Sequence, residues 1–465
     1  MMSAIVNKQI EPLRSEQISF LNRINEPNND QSKIITRKKS RQLKIEYYVV
    51  PVVVFIVTLI VIVIICIRQP NSSSKIITIK DVNDNEQYKE TNPEMRKKQD
   101  FIRKMTQDAW NAYVKYGWTH DTIRPLTNQS LDQTFGPGMG LTIVSSMSTL
   151  WMMNLKEEFQ MGRDWIENEL NFNKLHREID VQDAVNFYIG GLLSCYALTG
   201  SVDEMFVNKS RHIADRLDPV YRSPTGLPYW KIRPADGLAS YSTPFLSAVG
   251  GQHLEYEYLY RITGNGTYRD RIQRIRSFLE LMPKQSGLYM HQINVESGRW
   301  HSSTTTLSMV GRSFYNYLLR SFIQSNGEDF SAWNMFVDAI DAIEQTKMFI
   351  NSSDTGLLYI RPYNLNLRYK RYPKYMNFES CSLGAMFALA ANQLSNSSTL
   401  SSTSSLHLND LTLKEKYWNL SLQLTRTCTE HANQTLSGFA PNRFYFDTDE
   451  FDDVNLNDSG RHVLL

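Results

Sequence analysis

The sequence is short of cysteine: four in 465 residues, at positions 66, 195, 381 and 428. Four thiols cannot frame a domain of this length, so a disulfide-stapled scaffold is excluded. It also lacks an excess of either charge, with 50 Lys and Arg against 48 Asp and Glu and a net charge of +2. Without a basic surplus a dedicated nucleic-acid binder is excluded, and no nucleic acid is expected among the partners. Three catalytic signatures are missing as well: the Gly-x-Ser-x-Gly elbow, the His-Glu-x-x-His pair and the phosphate-binding P-loop. What is present is ordinary globular material, 42% hydrophobic and 21% charged. That length allows two to four domains or one large repetitive one, with enough chain to bury a sizeable core. Aromatic residues reach 11%, with 8 Trp and 24 Tyr, which suits a sugar-binding cleft as well as a core.

One long uncharged run sets the expected compartment. Tyr47 to Ile67 is 21 residues of mostly Val and Ile. At 1.5 Å per residue it reaches about 31 Å, the thickness of a bilayer core. Pro51 falls in the first turn, where a missing N–H is harmless. Arg37, Lys38, Lys39, Arg41 and Lys44 precede the run, whereas only Arg68 and Lys75 follow closely. The positive-inside rule then places the N-terminus in the cytosol and the rest across the membrane, as a type II signal anchor. A cleaved signal peptide fits less well, because the run starts late and no small-residue cleavage site follows. Nine N-x-Ser/Thr acceptor sequences begin at Asn71, Asn128, Asn208, Asn265, Asn351, Asn396, Asn419, Asn433 and Asn457. All lie on the expected lumenal side, although each is also an ordinary surface asparagine.

Beyond the anchor, residues 68–95 read as a polar stem. Helical periodicity then dominates. Residues 99–117 carry a stripe of Phe101, Met105, Ala109, Ala112, Tyr113 and Tyr116. Residues 183–199 place Val185, Ile189, Leu192 and Tyr196 on one face, and 303–321 do the same with Leu307, Val310, Phe314, Tyr317 and Leu318. Further helices are expected at 155–170, 205–216, 249–262, 267–282, 331–347, 380–394 and 411–430. Strand-like pieces fall only between helices, at Gly287–Ile293, Gly356–Ile360 and Phe439–Phe446. The pattern predicts an all-α fold of paired helices arranged in a ring around a concave centre.

Several words then occur in one order: AWNAYVKYGWTHD (109–121), GLTIVSSMSTLWMMNLKEEF (140–159), NFYIGGLLSCYALTG (186–200), SPTGLPY (223–229), HLEYEYLYRITGN (253–265), GLYMHQINVESGRW (287–300), GRSFYNYLLRSFIQS (311–325) and SCSLGAMFALAANQL (380–394). Together they resemble the class I α-1,2-mannosidases, glycoside hydrolase family 47, from about residue 97 to the C-terminus. The resemblance implies an (α/α)7 barrel with short β-hairpins that trims α-1,2-linked mannose from high-mannose N-glycans of glycoproteins with inversion. It implies a Ca²⁺ at the barrel floor, held by a C-terminal Thr. It also implies a Golgi or ER membrane protein with a lumenal barrel. The expected organisation is a basic tail (1–46), anchor (47–67), stem (68–95) and barrel domain (96–465).

The same resemblance exposes departures. Inversion needs one carboxyl to protonate the leaving oxygen and another to activate water. The family's Glu-x-x-x-Arg before the Gly-Gly pair is here Asp183 and Phe187, followed by Gly190-Gly191. Asp183 holds the general-acid position one methylene short, and a retreat of roughly 1.5 Å can cost about 10²-fold in positioning. Its alternative reading is a helix N-cap. The family's catalytic Asp has become Arg312, whose guanidinium cannot accept a proton from water, and the nearby Glu is Asn316. Two more pocket acids are Ser145 and Ser148, Ala-Glu reads Ser247-Ala248, and a His is Phe378. Glu255 keeps a pocket acid, read either as a substrate contact or as a buried structural carboxyl. The family's pattern continues past Leu465, so the barrel is expected to be incomplete at its C-terminus and to bind no Ca²⁺. Cys381 and Cys428 occupy the positions of the family's disulfide. Cys195 reads as a core thiol, and Cys66 falls in the anchor. These residues predict an α-1,2-mannosidase relative of weak or no activity. The alternatives are a non-catalytic glycan-binding or quality-control protein, or a decaying copy.

Overall fold

A computed structural model describes residues 92–240, 242–366, 373–396 and 411–446. The tail, the anchor at 47–67, nearly all of the stem, Cys66, Asn71 and Asn457 lie outside the described residues. Among the described residues, no helix is long and apolar enough to cross a membrane.

The first helix, α1 (Pro93–Gly117), starts ahead of the expected domain boundary at 96. Asn92 caps it, accepting a hydrogen bond from the Glu94 N–H at 2.9 Å, and Pro93 occupies the first turn. Its buried residues are Trp110, Tyr113 and Gly117, whereas Phe101 and Met105 are exposed. The expected stripe therefore packs only toward the C-terminal half, where the hairpin of β1 (Thr122–Arg124) and β2 (Gln129–Leu131) lies against it.

Helices then come in pairs. They are α2 (Leu141–Met152) with α3 (Lys156–Asn168), α4 (Gly190–Leu198) with α5 (Glu204–Leu217), and, beyond the short helix α6 (Leu246–Gly250), α7 (His253–Thr263) with α8 (Gly266–Leu281). The series continues with α9 (Met309–Gln324) and α10 (Phe330–Gln345), then α11 (Ser382–Asn396) and α12 (Leu411–Asn433). Five such pairs stand among the described residues. The first four are joined by links of two to five residues, which makes each pair antiparallel. α2, α4, α7, α9 and α11 follow one another side by side, each backed by its partner. The first turns of α9 and α11 meet through Arg312 and Ser382, and that of α7 meets α9 through Glu255 and Tyr317. The longer connections between pairs carry most of the strands: the antiparallel sheet of β3 (Ile179–Asp180), β4 (Lys231–Arg233) and β5 (Leu238–Ser240), and the pairs β6 (Ile293–Asn294) with β7 (Arg299–Trp300), and β9 (Phe349–Asn351) with β10 (Leu358–Ile360). β8 (Thr304–Thr305) pairs with β11 (Tyr363–Asn364), and β12 (Tyr375–Asn377) with β13 (Arg443–Tyr445). All of this gathers at the end where the row helices begin.

Other expectations also differ from the structure. The helix read from residue 303 begins at Met309, because Thr304 and Thr305 are held as β8. The helix read over 249–262 is broken at Gly251-Gln252. Gly251 allows the break: a Cβ there would stand 2.4 Å from the Ser247 carbonyl oxygen. The strand read over 287–293 is limited to its end, β6. One continuous core of Leu, Ile, Phe and Trp lies between the helix layers; Trp333 and Phe336 of α10 are fully buried within it. Each such side chain contributes about 1.5–3 kcal/mol relative to exposure.

Candidate functional site

The row topology places the candidate residues together at one end. Asp183 lies in the helical turn Val181–Asp183 that leads into α4. Glu255 and Arg312 are in the first turns of α7 and α9, and Ser382 opens α11. The helix N-termini at this end carry partial positive charge and unpaired N–H groups.

Asp183 does not cap its helix. That role belongs to Asp180, whose Oδ1 accepts hydrogen bonds from the Gln182 and Asp183 N–H groups at 2.8 and 3.2 Å. The indole N–H of Trp230 donates to the other oxygen of Asp180. The Asp183 side chain is half-buried, and no described residue hydrogen-bonds its carboxylate. Burial, with the neighbouring Asp180 charge adding to it, raises its pKa to about 6. Such a carboxyl holds its proton to a higher pH than an exposed aspartate, the direction a general acid requires. Chain passage through the site is unusual: residues Ala184–Ile189 form a π-helix, a form that recurs at functional sites.

Glu255 is held from two other segments. The Tyr317 hydroxyl on α9 lies 2.8 Å from Glu255 Oε1 and 3.1 Å from Asn186 Oδ1. One hydroxyl proton cannot serve two acceptors. The contacts are all satisfied if protonated Glu255 donates to Tyr317, which donates to Asn186, or if the Asn186 amide is turned to donate. Glu255 Oε2 is sealed from solvent with no hydrogen-bond partner. Burial accordingly raises the Glu255 pKa to about 7, against the opposing hydrogen bond from Tyr317. The Gly-Gly pair allows this packing. A Cβ on Gly190 would sit 3.4 Å from Glu255 Cγ, and one on Gly191 would sit 3.3 Å from the Val144 carbonyl oxygen.

Arg312 is bound into the frame. Its Nη1 donates to the Glu379 carbonyl oxygen and, at 2.8 Å, to Ser382 Oγ. Burial lowers its pKa, with Glu379 opposing. Ser145 donates back to the Leu141 carbonyl at 2.7 Å, and Ser247 is buried. Phe187 and Phe378 are exposed at the same end. Among the described residues no three His, Cys, Asp or Glu side chains group to hold a metal ion.

Cys381 and Cys428 are bonded, linking the turn just before α11 to α12 across a separation of 47 residues. Cys195 is a free, buried thiol whose pKa burial pushes up to about 12. The acceptor asparagines Asn128, Asn208, Asn265, Asn351, Asn419 and Asn433 are exposed. Asn186, Tyr317 and Asp180 are site residues that the sequence did not single out. Tyr317 and Asn186 meet across 131 positions, and no local pattern marks such a pair.

The paired-helix architecture, with the candidate residues at one end, is that of an α-helical barrel. A solved α-1,2-mannosidase from Trichoderma reesei has the same fold, with a TM-score of 0.65, 20% identity and coverage of 75% of this chain and 71% of that one. The profile of glycosyl hydrolase family 47 matches residues 105–463, and the chain belongs to that family. Among curated proteins it is 35% identical to mannosyl-oligosaccharide α-1,2-mannosidase IA of Spodoptera frugiperda, over 76% of this chain and 51% of that protein. It is 34% identical to mannosyl-oligosaccharide 1,2-α-mannosidase IB of Mus musculus, over 76% and 53%. The chain spans about half the length of these relatives.

Proposed function

We propose that this chain is an α-1,2-mannosidase homologue of N-glycan processing that engages high-mannose glycans of glycoproteins and hydrolyses them weakly or not at all. The observation that carries the reading is Arg312. At the position the resemblance assigns to a catalytic Asp stands a guanidinium, anchored to Glu379 and Ser382. It cannot take a proton from an attacking water. Asp183, with its raised pKa, remains suited to protonate a leaving oxygen. General acid–base help is worth about 10²–10⁴-fold per group, so an acid without its paired base leaves little hydrolysis.

A second reading, a non-catalytic glycan-binding protein, is supported by the same end of the fold. A free carboxylate and exposed aromatic rings remain there although the pocket acids have become hydroxyls and Arg312. Glu255, sealed behind Tyr317 and Asn186, serves in either reading as the support for this wall, with contact to the glycan requiring its carboxyl to open. The proposal includes a type II anchor at 47–67, a Golgi or ER membrane location and a lumenal helical domain. The exposure of six acceptor asparagines supports that orientation. It assigns no Ca²⁺ to the chain, which a thermal melt with Ca²⁺ or EDTA tests by leaving the transition unmoved.

The test is incubation of the full chain, purified in mild detergent, with a high-mannose oligosaccharide. Mass spectrometry follows mannose loss. Little or none from a folded protein is expected; rapid loss that Asp183→Asn abolishes would overturn the reading.

A further inference from the structure

From Val181 to Gly190 the buried positions are Val181, Ala184, Val185, Tyr188 and Ile189. The remaining stripe passes through Asp183, Asn186, Phe187 and Gly190. Its polar members are expected on a solvent-facing site, but Phe187 is a large apolar ring left 40% exposed. It lies four residues, about one turn, from Asp183, so the two side chains are neighbours on one face. Asn186, between them in the chain, is fixed by the Tyr317 hydroxyl, and Gly190 closes the stripe against Glu255. This wall is held in place on one side and open on the other. Met309 and Phe378 are also exposed at this end, 63% and 46%.

A hexopyranose has an apolar C–H face and a rim of hydroxyls. The ring of Phe187 matches the first, and the carboxylate of Asp183, with no hydrogen-bond donor of its own, matches the second. An anionic ligand fits poorly, because Asp180 stands beside Asp183 and raises its pKa. A purely apolar partner also fits poorly, since covering Asp183 without a donor leaves a polar group unsatisfied.

We infer that Phe187 is a sugar-stacking, specificity-determining residue: its ring takes the apolar face of a terminal hexose whose hydroxyls donate to Asp183. The inference rests on the reading that this end of the fold engages a glycan, and it names the contact that does so.

Titration of the detergent-purified full chain with a high-mannose oligosaccharide, read by calorimetry and by saturation-transfer NMR, tests it. Phe187→Ala is expected to weaken binding about tenfold and to remove saturation transfer to the ring C–H protons of one terminal sugar. Phe187→Trp retains binding. Phe101→Ala, on the exposed part of α1, leaves it unchanged. Near-ultraviolet circular dichroism confirms that each variant is folded. Wild-type affinity in folded Phe187→Ala, or a loss in Phe187→Trp as large as that in Phe187→Ala, overturns the inference and leaves the glycan reading standing. No binding by the folded wild-type protein overturns both.

Discussion

Arg312 Nη1 donates to Ser382 Oγ at 2.8 Å, tying the first turn of α9 to the first residue of α11. The same nitrogen bonds the Glu379 carbonyl, so one guanidinium joins α9 to the turn before α11. A residue in a position the resemblance gives to catalysis thus carries part of the frame. Arg312→Ala is expected to cost about 0.5–1.5 kcal/mol, because the half-buried Glu379 carbonyl loses one donor but keeps the Ser382 hydroxyl at 3.1 Å, and exposed Ser382 can turn to water. Chemical denaturation measures it, and Arg312→Lys should recover only part of the loss.

Glu255 gives a signed pH dependence. Its folded pKa is about 7, above the usual glutamate value, so the native state binds the proton more tightly than the unfolded chain. Its contribution to stability is fully present below the unfolded pKa and is lost as pH rises through about 7. The expected loss between pH 4.5 and 7 is on the order of 2–3 kcal/mol. Asp183 adds a smaller loss of the same sign, complete by about pH 6. Glu255→Gln should flatten the high-pH part of the profile of unfolding free energy against pH.

Tyr317→Phe removes the only hydroxyl within hydrogen-bonding reach of Glu255 among the described residues. The expected cost is about 1–3 kcal/mol, greater at pH 8 than at pH 5, because the ionised carboxylate depends on that donor most. A double-mutant cycle with Glu255→Gln should give a coupling of about 0.5–3 kcal/mol. Additive effects would mean that the two side chains do not support each other.

The disulfide and the free thiol separate cleanly. Cys428→Ser opens a loop of 47 residues, for which the chain-entropy relation gives roughly 4 kcal/mol. Cys195, buried and with a raised pKa, should resist alkylation in the native protein and react only on unfolding.

Much of the fold was legible in the sequence, because amphipathic stripes such as Val185, Ile189, Leu192 and Tyr196 report a helix directly, and all four are buried. Helix α2 was not, since Leu141–Met152 mixes apolar and hydroxyl residues with no charged face to reveal a period. The start of α9 was hidden by a contact from afar: Thr304 and Thr305 are strand only because Tyr363 and Asn364 pair with them. The site divides in the same way. Asp183, Glu255 and Arg312 could be placed by motif, and the Cys381–Cys428 bond by the family's pattern. The capping role of Asp180, three positions before Asp183, became plain only from the backbone geometry. Asn186 and Tyr317 depend on packing between separate helices, which spacing does not encode.

The central claim concerns water activation, and mannose release tests it most directly. Full-length protein, folded and with its disulfide intact, is incubated with a high-mannose oligosaccharide beside Asp183→Asn and Arg312→Asp variants, and mannose loss is followed by mass spectrometry. The account predicts release at least about 10²-fold below that of a family member retaining both carboxyl groups. Release at such a member's rate, abolished by Asp183→Asn, would contradict it, because water would then be activated without a carboxylate at position 312.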